Sequence, residues 1–151
     1  MKPNRTSRSV RHICIAAIKR KVQTASCKYT QIYEVENFEE IDFINRSDFS
    51  LESDELPIMS LRQVKKRWWI FGEQEHWWAF TTHKIIGKIN GRILSIPLEQ
   101  IQKINWGDWK GYQKKEIITI TVQFGENQIE KLFLETGRAA LIPIYTVMNV
   151  H

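Results

Sequence analysis

Basic and aromatic side chains lie close together in the middle of the chain, and they are the residues best suited to binding a ligand. Residues 65–69 read Lys-Lys-Arg-Trp-Trp, and Lys84, Lys88 and Arg92 follow on the next hairpins. Cations of this kind bind phosphate groups, and unpaired bases stack on aromatic rings. The pattern is typical of a solvated strand entry whose tryptophans lie in the core. The alternative is a basic, aromatic-lined face that binds such a ligand.

Tryptophan is concentrated in the same region, because all six tryptophans fall between residues 68 and 109. Neighbouring side chains of a strand point to opposite faces, so Trp68-Trp69 and Trp77-Trp78 each place one ring on either face. One ring of each pair can join the core. The other, for which Trp69 and Trp78 are the candidates, lies either on an exposed binding surface or beneath the N-terminal third or the final helix.

No pattern in the sequence predicts catalysis or a metal site. A zinc site needs several converging ligands, and a metalloprotease helix needs two histidines four residues apart with a glutamate. Neither arrangement is present, and His76 and His83 are expected at opposite ends of one strand. The sequence also lacks a nucleophile motif and a glycine-rich phosphate loop. We therefore expect a protein that is not an enzyme and that uses no cofactor or metal.

Charge is distributed in blocks that the net charge of +5 conceals. Residues 1–33 contain eight Lys or Arg and no acid, whereas residues 34–55 contain nine acids and one base. Residues 58–151 are basic again. The first two blocks are expected to neutralise each other in the folded protein. The alternative is a basic arm that binds anionic lipid or nucleic acid.

Length, cysteine content and hydropathy favour one globular domain in a reducing compartment. A chain of 151 residues can bury a core without disulfides. Cys14 and Cys27 lack metal-type spacing, and a single pair is weak evidence for a disulfide. The apolar run at residues 13–18 is shorter than a signal-peptide core or a membrane span. We expect a cytoplasmic protein, with peripheral membrane association as the alternative.

The first element expected is a basic helix. Val10, Ile13 and Cys14 recur at helical spacing, and Ser9 can cap the helix after a disordered arm over residues 2–9. We expect the helix to lie on the core of the domain. Docking on a membrane surface is one alternative, and a strand through the same apolar run is another.

The next segment connects this helix to the sheet. Residues 28–35 alternate between apolar and polar side chains, which predicts a strand. Residues 36–55 are acidic but contain too many aromatic residues for full disorder. They predict a partly ordered connection with a helical turn near residues 38–44, which ends at Leu56-Pro57.

A β-sheet occupies most of the rest of the chain. Asn90-Gly91 is the strongest turn signal, because both central positions of a type I′ turn need positive φ. Thr136 can cap a final helix through about Asn149, in which Pro143 would produce a kink. The seven predicted strands cover residues 63–71, 76–81, 84–89, 92–96, 101–106, 115–124 and 128–135.

Seven antiparallel strands followed by one helix is the order of the pleckstrin-homology-like (PH-like) fold. Residues 80–86, Phe-Thr-Thr-His-Lys-Ile-Ile, resemble the hairpin motif of bacterial PH-like and GRAM-like domains. In that motif an apolar residue and Thr precede Asp or Asn, any residue, Arg and two aliphatic residues. Thr82 stands here in place of the acid or amide, and Lys84 in place of Arg. Residues 93–104 resemble the family's next segment, and the resemblance covers roughly residues 68–148.

The resemblance implies a seven-stranded curled sheet or barrel that a C-terminal helix closes. It would occupy residues 63–151, and residues 1–62 would pack on it as an arm, a helix and an acidic connection. Domains of this family bind proteins, peptides or lipid head groups. The first hypothesis is therefore a non-catalytic module that binds a protein or peptide through Trp69 and Trp78.

Two further hypotheses use the basic residues. A basic first hairpin holds phosphoinositide head groups in some PH domains, which makes Lys66, Arg67, Lys84 and Lys88 candidates for an anionic lipid surface. Nucleic-acid binding ranks third, because no nucleic-acid module signature accompanies these bases. An open sheet edge would also allow homo-oligomers or the addition of a peptide strand.

Overall fold

A computed structural model describes residues 6–21, 30–32, 38, 41–63, 65–66, 73–105 and 117–135 of the chain. Within these ranges the chain is an α+β structure, as the sequence predicts. The elements are α1 (Ser7–Lys21), β1 (Thr30–Ile32), α2 (Arg46–Phe49), β2 (Pro57–Arg62), β3 (Lys65–Lys66), β4 (Glu73–Gln74), β5 (Trp77–Thr81), β6 (Lys84–Ile89), β7 (Arg92–Pro97), a 3₁₀-helix (Leu98–Gln100), β8 (Ile101–Asn105), β9 (Ile117–Phe124) and β10 (Gln128–Glu135).

The strands form two larger antiparallel sheets and one short ladder. β1, β2, β5, β6 and β7 are neighbours in that order in the first sheet. β9 pairs with β10 on one side and with β8 on the other. β3 and β4 form a separate two-stranded ladder. No ladder joins the two larger sheets in the described ranges, so these strands do not form a closed barrel.

β10 contacts two strands of the five-stranded sheet through side chains. The Glu130 carboxylate accepts two hydrogen bonds from Arg92 at the start of β7. Three residues later, the main-chain oxygen of Phe133 accepts a hydrogen bond from Trp78 on β5. Residues of both sheets also share one core, so the two sheets pack against each other.

Turn chemistry explains where two of the hairpins reverse. Asn90 and Gly91 have φ angles of 52° and 78°, the pair of positive values that the predicted type I′ turn requires. Gly125 and Asn127 have φ angles of 56° and 59° in the turn between β9 and β10. Asparagine and glycine, which occupy the positive-φ positions of both turns, tolerate the left-handed region. Both predicted hairpins are confirmed.

The space between the two larger sheets holds the main core, and α1 contributes to it. Val10 and Cys14 of the helix are buried in this cluster, so the helix lies on the core as predicted. Within the described ranges, no helix combines the length and the apolar character that a membrane crossing requires. The residues that the strands and the 3₁₀-helix contribute are Ile58, Met59, Leu61, Trp78, Phe80, Ile85, Ile89, Leu94, Ile96, Leu98, Ile104, Ile120, Val122, Phe124, Leu132 and Phe133.

The outer face of β5 and β6 is covered by residues 38 and 41–55, which we call the acidic segment. A second apolar cluster forms there, because this segment carries aromatic and aliphatic residues between its acids. Asn45 caps α2 by accepting a hydrogen bond from the Ser47 N–H at 3.1 Å. The buried members of the cluster are Phe38, Ile41, Ile44, Phe49, Trp77, Ala79 and Ile86.

The strand that precedes β5 in the five-stranded sheet differs from the prediction. The sequence predicts a strand over residues 63–71, but the strand that pairs with β5 is β2, which ends at Arg62. Lys65 and Lys66 form only the short strand β3, and residues 64 and 67–72 lie outside the described ranges. Pro57 indicates an end to the acidic segment. It is also tolerated as the first residue of a strand, and it has that position here.

The helices also differ in detail from the prediction. α1 begins at Ser7, within the predicted arm, and Thr6 rather than Ser9 caps it by accepting the Ser9 N–H at 3.3 Å. The turn predicted near residues 38–44 is present, because the Ile41 N–H donates to the Phe38 oxygen and the Ile44 N–H to the Ile41 oxygen. The short helix α2 follows this turn and is not predicted. The predicted final helix, which follows Glu135, lies outside the described ranges.

Candidate binding cleft

A cleft opens between the start of α1, the end of the acidic segment and the turn between β5 and β6. Its volume is about 540 Å³, within the range of about 300–1,000 Å³ that ligand sites occupy. Val10, Leu56 and Leu98 supply apolar surface. Polar and charged side chains surround that surface. They are Thr6, Ser7, Arg8, Asp54, Thr82, His83 and Glu99.

Two threonine hydroxyls hold the β5–β6 turn against the acidic segment. Thr81 Oγ1 donates a hydrogen bond to the Glu55 carboxylate and accepts one from the His83 N–H at 3.1 Å. Thr82 Oγ1 accepts a hydrogen bond from the Leu56 N–H at 3.0 Å, and the Thr82 N–H donates to the Leu56 oxygen at 2.9 Å. The Thr-Thr-His sequence therefore fixes the wall of the cleft.

His83 has carboxylates near one ring nitrogen and a hydroxyl near the other. Its Nε2 lies 3.5 Å from Glu52 Oε2 and 3.6 Å from Asp54 Oδ2, and its Nδ1 lies 2.8 Å from Thr82 Oγ1. Ser7 Oγ donates to the same Asp54 oxygen at 3.3 Å. The carboxylate thus lies between the serine and the imidazole. A serine nucleophile needs the imidazole at its own hydroxyl, so this order does not match an acyl-transfer triad.

The two lysines of β6 that the sequence predicts for an anionic ligand are paired with acids of this chain. Lys84 Nζ lies 3.6 Å from the buried carboxylate of Glu55. Lys88 Nζ lies 2.9 Å from Glu75 and 3.5 Å from Asp48. The hydrogen bond to Glu75 is the main cause that raises the pKa of Lys88. The acidic segment and Glu75 therefore neutralise the two lysines of β6, a pairing that the charge blocks do not predict.

Trp77 and Trp78 are both fully buried, on opposite faces of β5. The predicted alternation is confirmed for this pair. Phe43 and Phe49 pack edge-on against Trp77, with ring centroids 5.0 and 5.5 Å away. Trp78 points between the two sheets. It is therefore not a surface contact, contrary to its role in the first hypothesis, because the core encloses its ring.

The predicted site residues do not come together as one face in the described ranges. Lys84 and Lys88 lie on the outer face of the sheet, opposite to Trp78. Lys66 lies in the short strand β3. Arg67 and Trp69 lie outside the described ranges.

Most of the cleft residues are ones that sequence patterns do not single out. Glu52 and Asp54 belong to an acidic run, and only the fold brings them to His83. The hydroxyls of Thr81 and Thr82 are a weak local signal for an ordered turn at His83, because threonines in a turn often bind nearby main-chain groups. Nothing local indicates which acids lie opposite the turn.

Known proteins offer no guide to this cleft. Comparisons with models of protein families, with curated proteins and with solved structures found no match to the chain. The geometry of the cleft is therefore the basis for assigning a function.

Proposed function

We propose that the protein is a non-catalytic binding module that takes a short segment of a protein partner in the cleft beside α1. The observation that carries this proposal is the lining of the cleft. Val10, Leu56 and Leu98 form an apolar floor, and the surrounding side chains carry charges of both signs. An apolar side chain gains about 25 cal/mol for each Å² of surface that leaves water for such a floor. The polar rim offers donors and acceptors to peptide groups.

The charges of the rim favour a peptide over a phosphate-rich ligand. Asp54 and Glu99 line the same opening as Arg8, so the cleft is not uniformly cationic. A lipid head group or a nucleic acid needs cations that are not already compensated. Lys84 and Lys88 are compensated by acids of the chain. Anionic-surface binding is therefore the second proposal, and nucleic-acid binding the third.

We infer that a PH-like framework carries this cleft. The support is the arrangement of strands: β2, β5, β6 and β7 belong to a sheet that shares its core with the three-stranded sheet of β8, β9 and β10. The motif at residues 80–86, which resembles the family's hairpin, forms the β5–β6 turn that lines the cleft. The helix α1, which contributes Val10 and Cys14 to the core, is a feature outside that resemblance.

A peptide-display selection tests the proposed function. Short random peptides are selected on the full chain, and the affinity of the enriched peptides is then measured by fluorescence polarisation. We expect Glu99→Lys to weaken their binding at least about fivefold, or about 1 kcal/mol, because it reverses a charge on the rim. Glu126→Lys makes the same change on the exposed β9–β10 turn and should leave binding unaltered.

Two results would contradict the proposal. One is a selection in which no peptide is enriched over a blank surface. The other is a set of peptides that bind the Glu99 and Glu126 variants equally well. Vesicles rich in phosphatidylserine provide the competing test, because stronger binding to them than to any peptide favours the anionic-surface proposal.

A further inference from the structure

Three side chains with metal-binding atoms meet at one end of the cleft. Glu52, Asp54 and His83 each offer one ligand atom, and these atoms all lie within 4.8 Å of one another. Both carboxylates approach the same ring nitrogen of the histidine, Nε2, at 3.5 and 3.6 Å. The set therefore combines one nitrogen and two oxygen donors within that distance.

The two distances from His83 are longer than direct hydrogen bonds and leave room for an ion between the atoms. An N–H···O hydrogen bond spans about 2.7–3.2 Å, shorter than either distance from His83. Zinc binds histidine nitrogen and carboxylate oxygen at about 2.0–2.2 Å, and tetrahedral geometry then places neighbouring ligand atoms about 3.3–3.6 Å apart. The distances from His83 Nε2 to Glu52 and Asp54 lie at the upper end of that range.

Thr82 provides a second observation, from outside the set of three. Its hydroxyl lies 2.8 Å from His83 Nδ1, and Thr82 is itself 3% exposed. Metal-binding histidines commonly donate their other ring N–H to an acceptor, which fixes the tautomer and the ring orientation. The Leu56 N–H uses one lone pair of Thr82 Oγ1, and the second can accept Nδ1–H. In that tautomer the Nε2 lone pair faces Glu52 and Asp54.

We propose that Glu52, Asp54 and His83 bind a divalent transition-metal cation such as zinc. Mixed imidazole and carboxylate donors suit this class of metal, whereas calcium and magnesium prefer oxygen alone. Asp54 and His83 also line the cleft, so a remaining coordination position would open towards it. Water or a side chain of a bound partner could occupy that position. The cation site does not depend on the proposed function, because the metal alone is its probe.

Metal binding has a structural consequence that provides a second readout. Two of the ligands come from the acidic segment and the third from the β5–β6 turn. A bound ion would crosslink these two segments, which Thr82 and Leu56 already connect by hydrogen bonds. A ligand that binds only the folded state raises its stability by mass action. Zinc should therefore raise the midpoint of thermal unfolding.

Zinc titration of the full chain by isothermal calorimetry tests the site. We expect saturable binding of one ion and a higher midpoint of unfolding with zinc than with calcium. His83→Gln, Glu52→Gln and Asp54→Asn should each weaken zinc binding at least about tenfold, since loss of even a supporting group costs about 10–100-fold. All three side chains are at least partly exposed, so the variants should fold. Glu99→Gln removes a cleft carboxylate outside the set and should change the affinity by less than about twofold.

The proposal would be overturned if the chain binds no zinc. It would also be overturned if His83→Gln binds zinc as tightly as the unaltered chain, because the ion then sits elsewhere. Equal losses in His83→Gln and Glu99→Gln would indicate a general electrostatic effect, with His83 acting only as an ion-pair partner of the two carboxylates.

Discussion

The indole Nε1 of Trp78 lies 2.7 Å from the main-chain oxygen of Phe133, and this hydrogen bond connects the two larger sheets. Trp77, the preceding residue, is equally buried on the other face of β5. Its Nε1 has no hydrogen-bond partner in the described part of the chain. Two adjacent tryptophans of equal burial therefore differ in whether their polar atom is satisfied.

Replacing each of these tryptophans by phenylalanine isolates that difference. Trp78→Phe leaves the Phe133 oxygen without its donor, whereas Trp77→Phe removes an unsatisfied donor. The lost volume is the same. We expect Trp78→Phe to lower the free energy of unfolding by about 1–3 kcal/mol more than Trp77→Phe does. Urea denaturation followed by circular dichroism measures both. Equal losses, or a larger loss for Trp77→Phe, would show that the hydrogen bond contributes little.

Local chemistry determined the parts of the fold that the sequence predicts correctly. Asn90-Gly91 specifies its turn through φ alone, and β10 follows directly from its alternation and the turn before it. β2 is different, because its residues are buried on both faces and show no alternation. Burial on both faces depends on the acidic segment and on the second sheet, neither of which a local pattern reveals.

The candidate site was predictable only in part for the same reason. The Thr82-His83 turn is local and was expected, but its partners Glu52 and Asp54 come from a distant segment. Alternation correctly separated Trp77 from Trp78. Alternation could not indicate that the acidic segment covers the ring of Trp77, because that contact depends on the tertiary packing of a segment without regular periodicity.

Glu55 is expected to be a stabilising acid, although most acids of its segment are exposed. It is 2% exposed and accepts hydrogen bonds from Thr81 Oγ1 and the Glu52 N–H, beside Lys84, whose side chain is 13% exposed. Glu55→Gln should lower the free energy of unfolding by about 2–4 kcal/mol, because it leaves a largely buried ammonium without its carboxylate. Denaturant titration measures the loss.

A matched acid and a double variant make this test specific. Glu126→Gln removes an exposed acid in a turn and should change stability by less than about 0.5 kcal/mol. Adding Lys84→Met to Glu55→Gln should recover part of the loss, since no unpaired charge then remains. Strictly additive losses would mean that Glu55 acts through Thr81 rather than through Lys84.

Gly87 lies inside β6 and is required for close approach of two strands. It lies opposite Trp78 in the β5–β6 ladder. A Cβ atom at this position would lie 2.5 Å from the Trp77 oxygen and 2.9 Å from the Trp78 Cβ. We expect Gly87→Ala to cost about 3 kcal/mol or more, because main-chain atoms of a paired strand cannot move aside cheaply. Soluble yield and denaturant midpoint measure the effect.

Gly125 provides the control for this substitution. Its φ angle is +56°, and an added Cβ would meet side-chain oxygens at 3.4 and 3.9 Å, which is ordinary contact. Gly125→Ala should therefore cost only about 1–2 kcal/mol, from the left-handed backbone alone. A loss for Gly87→Ala no larger than that of the control would mean that the ladder can shift to admit the methyl group.

Cys14 should make the stability of the protein decrease at alkaline pH. Burial raises the pKa of its thiol from an ordinary value of 9.0 to about 11. Below pH 8 the thiol is protonated in both the folded and the unfolded chain, so it contributes no pH dependence. Between pH 9 and 11 the unfolded chain loses the proton first, which favours unfolding by about 1.4 kcal/mol per pH unit.

The difference in stability between the parent chain and Cys14→Ala isolates this effect from other titrating groups, with Cys27→Ser present in both. We expect the advantage of the parent over Cys14→Ala to fall by about 2–3 kcal/mol between pH 8 and pH 11, measured by urea denaturation. A difference that stays constant with pH would mean that the thiol ionises as readily in the folded chain as in the unfolded one.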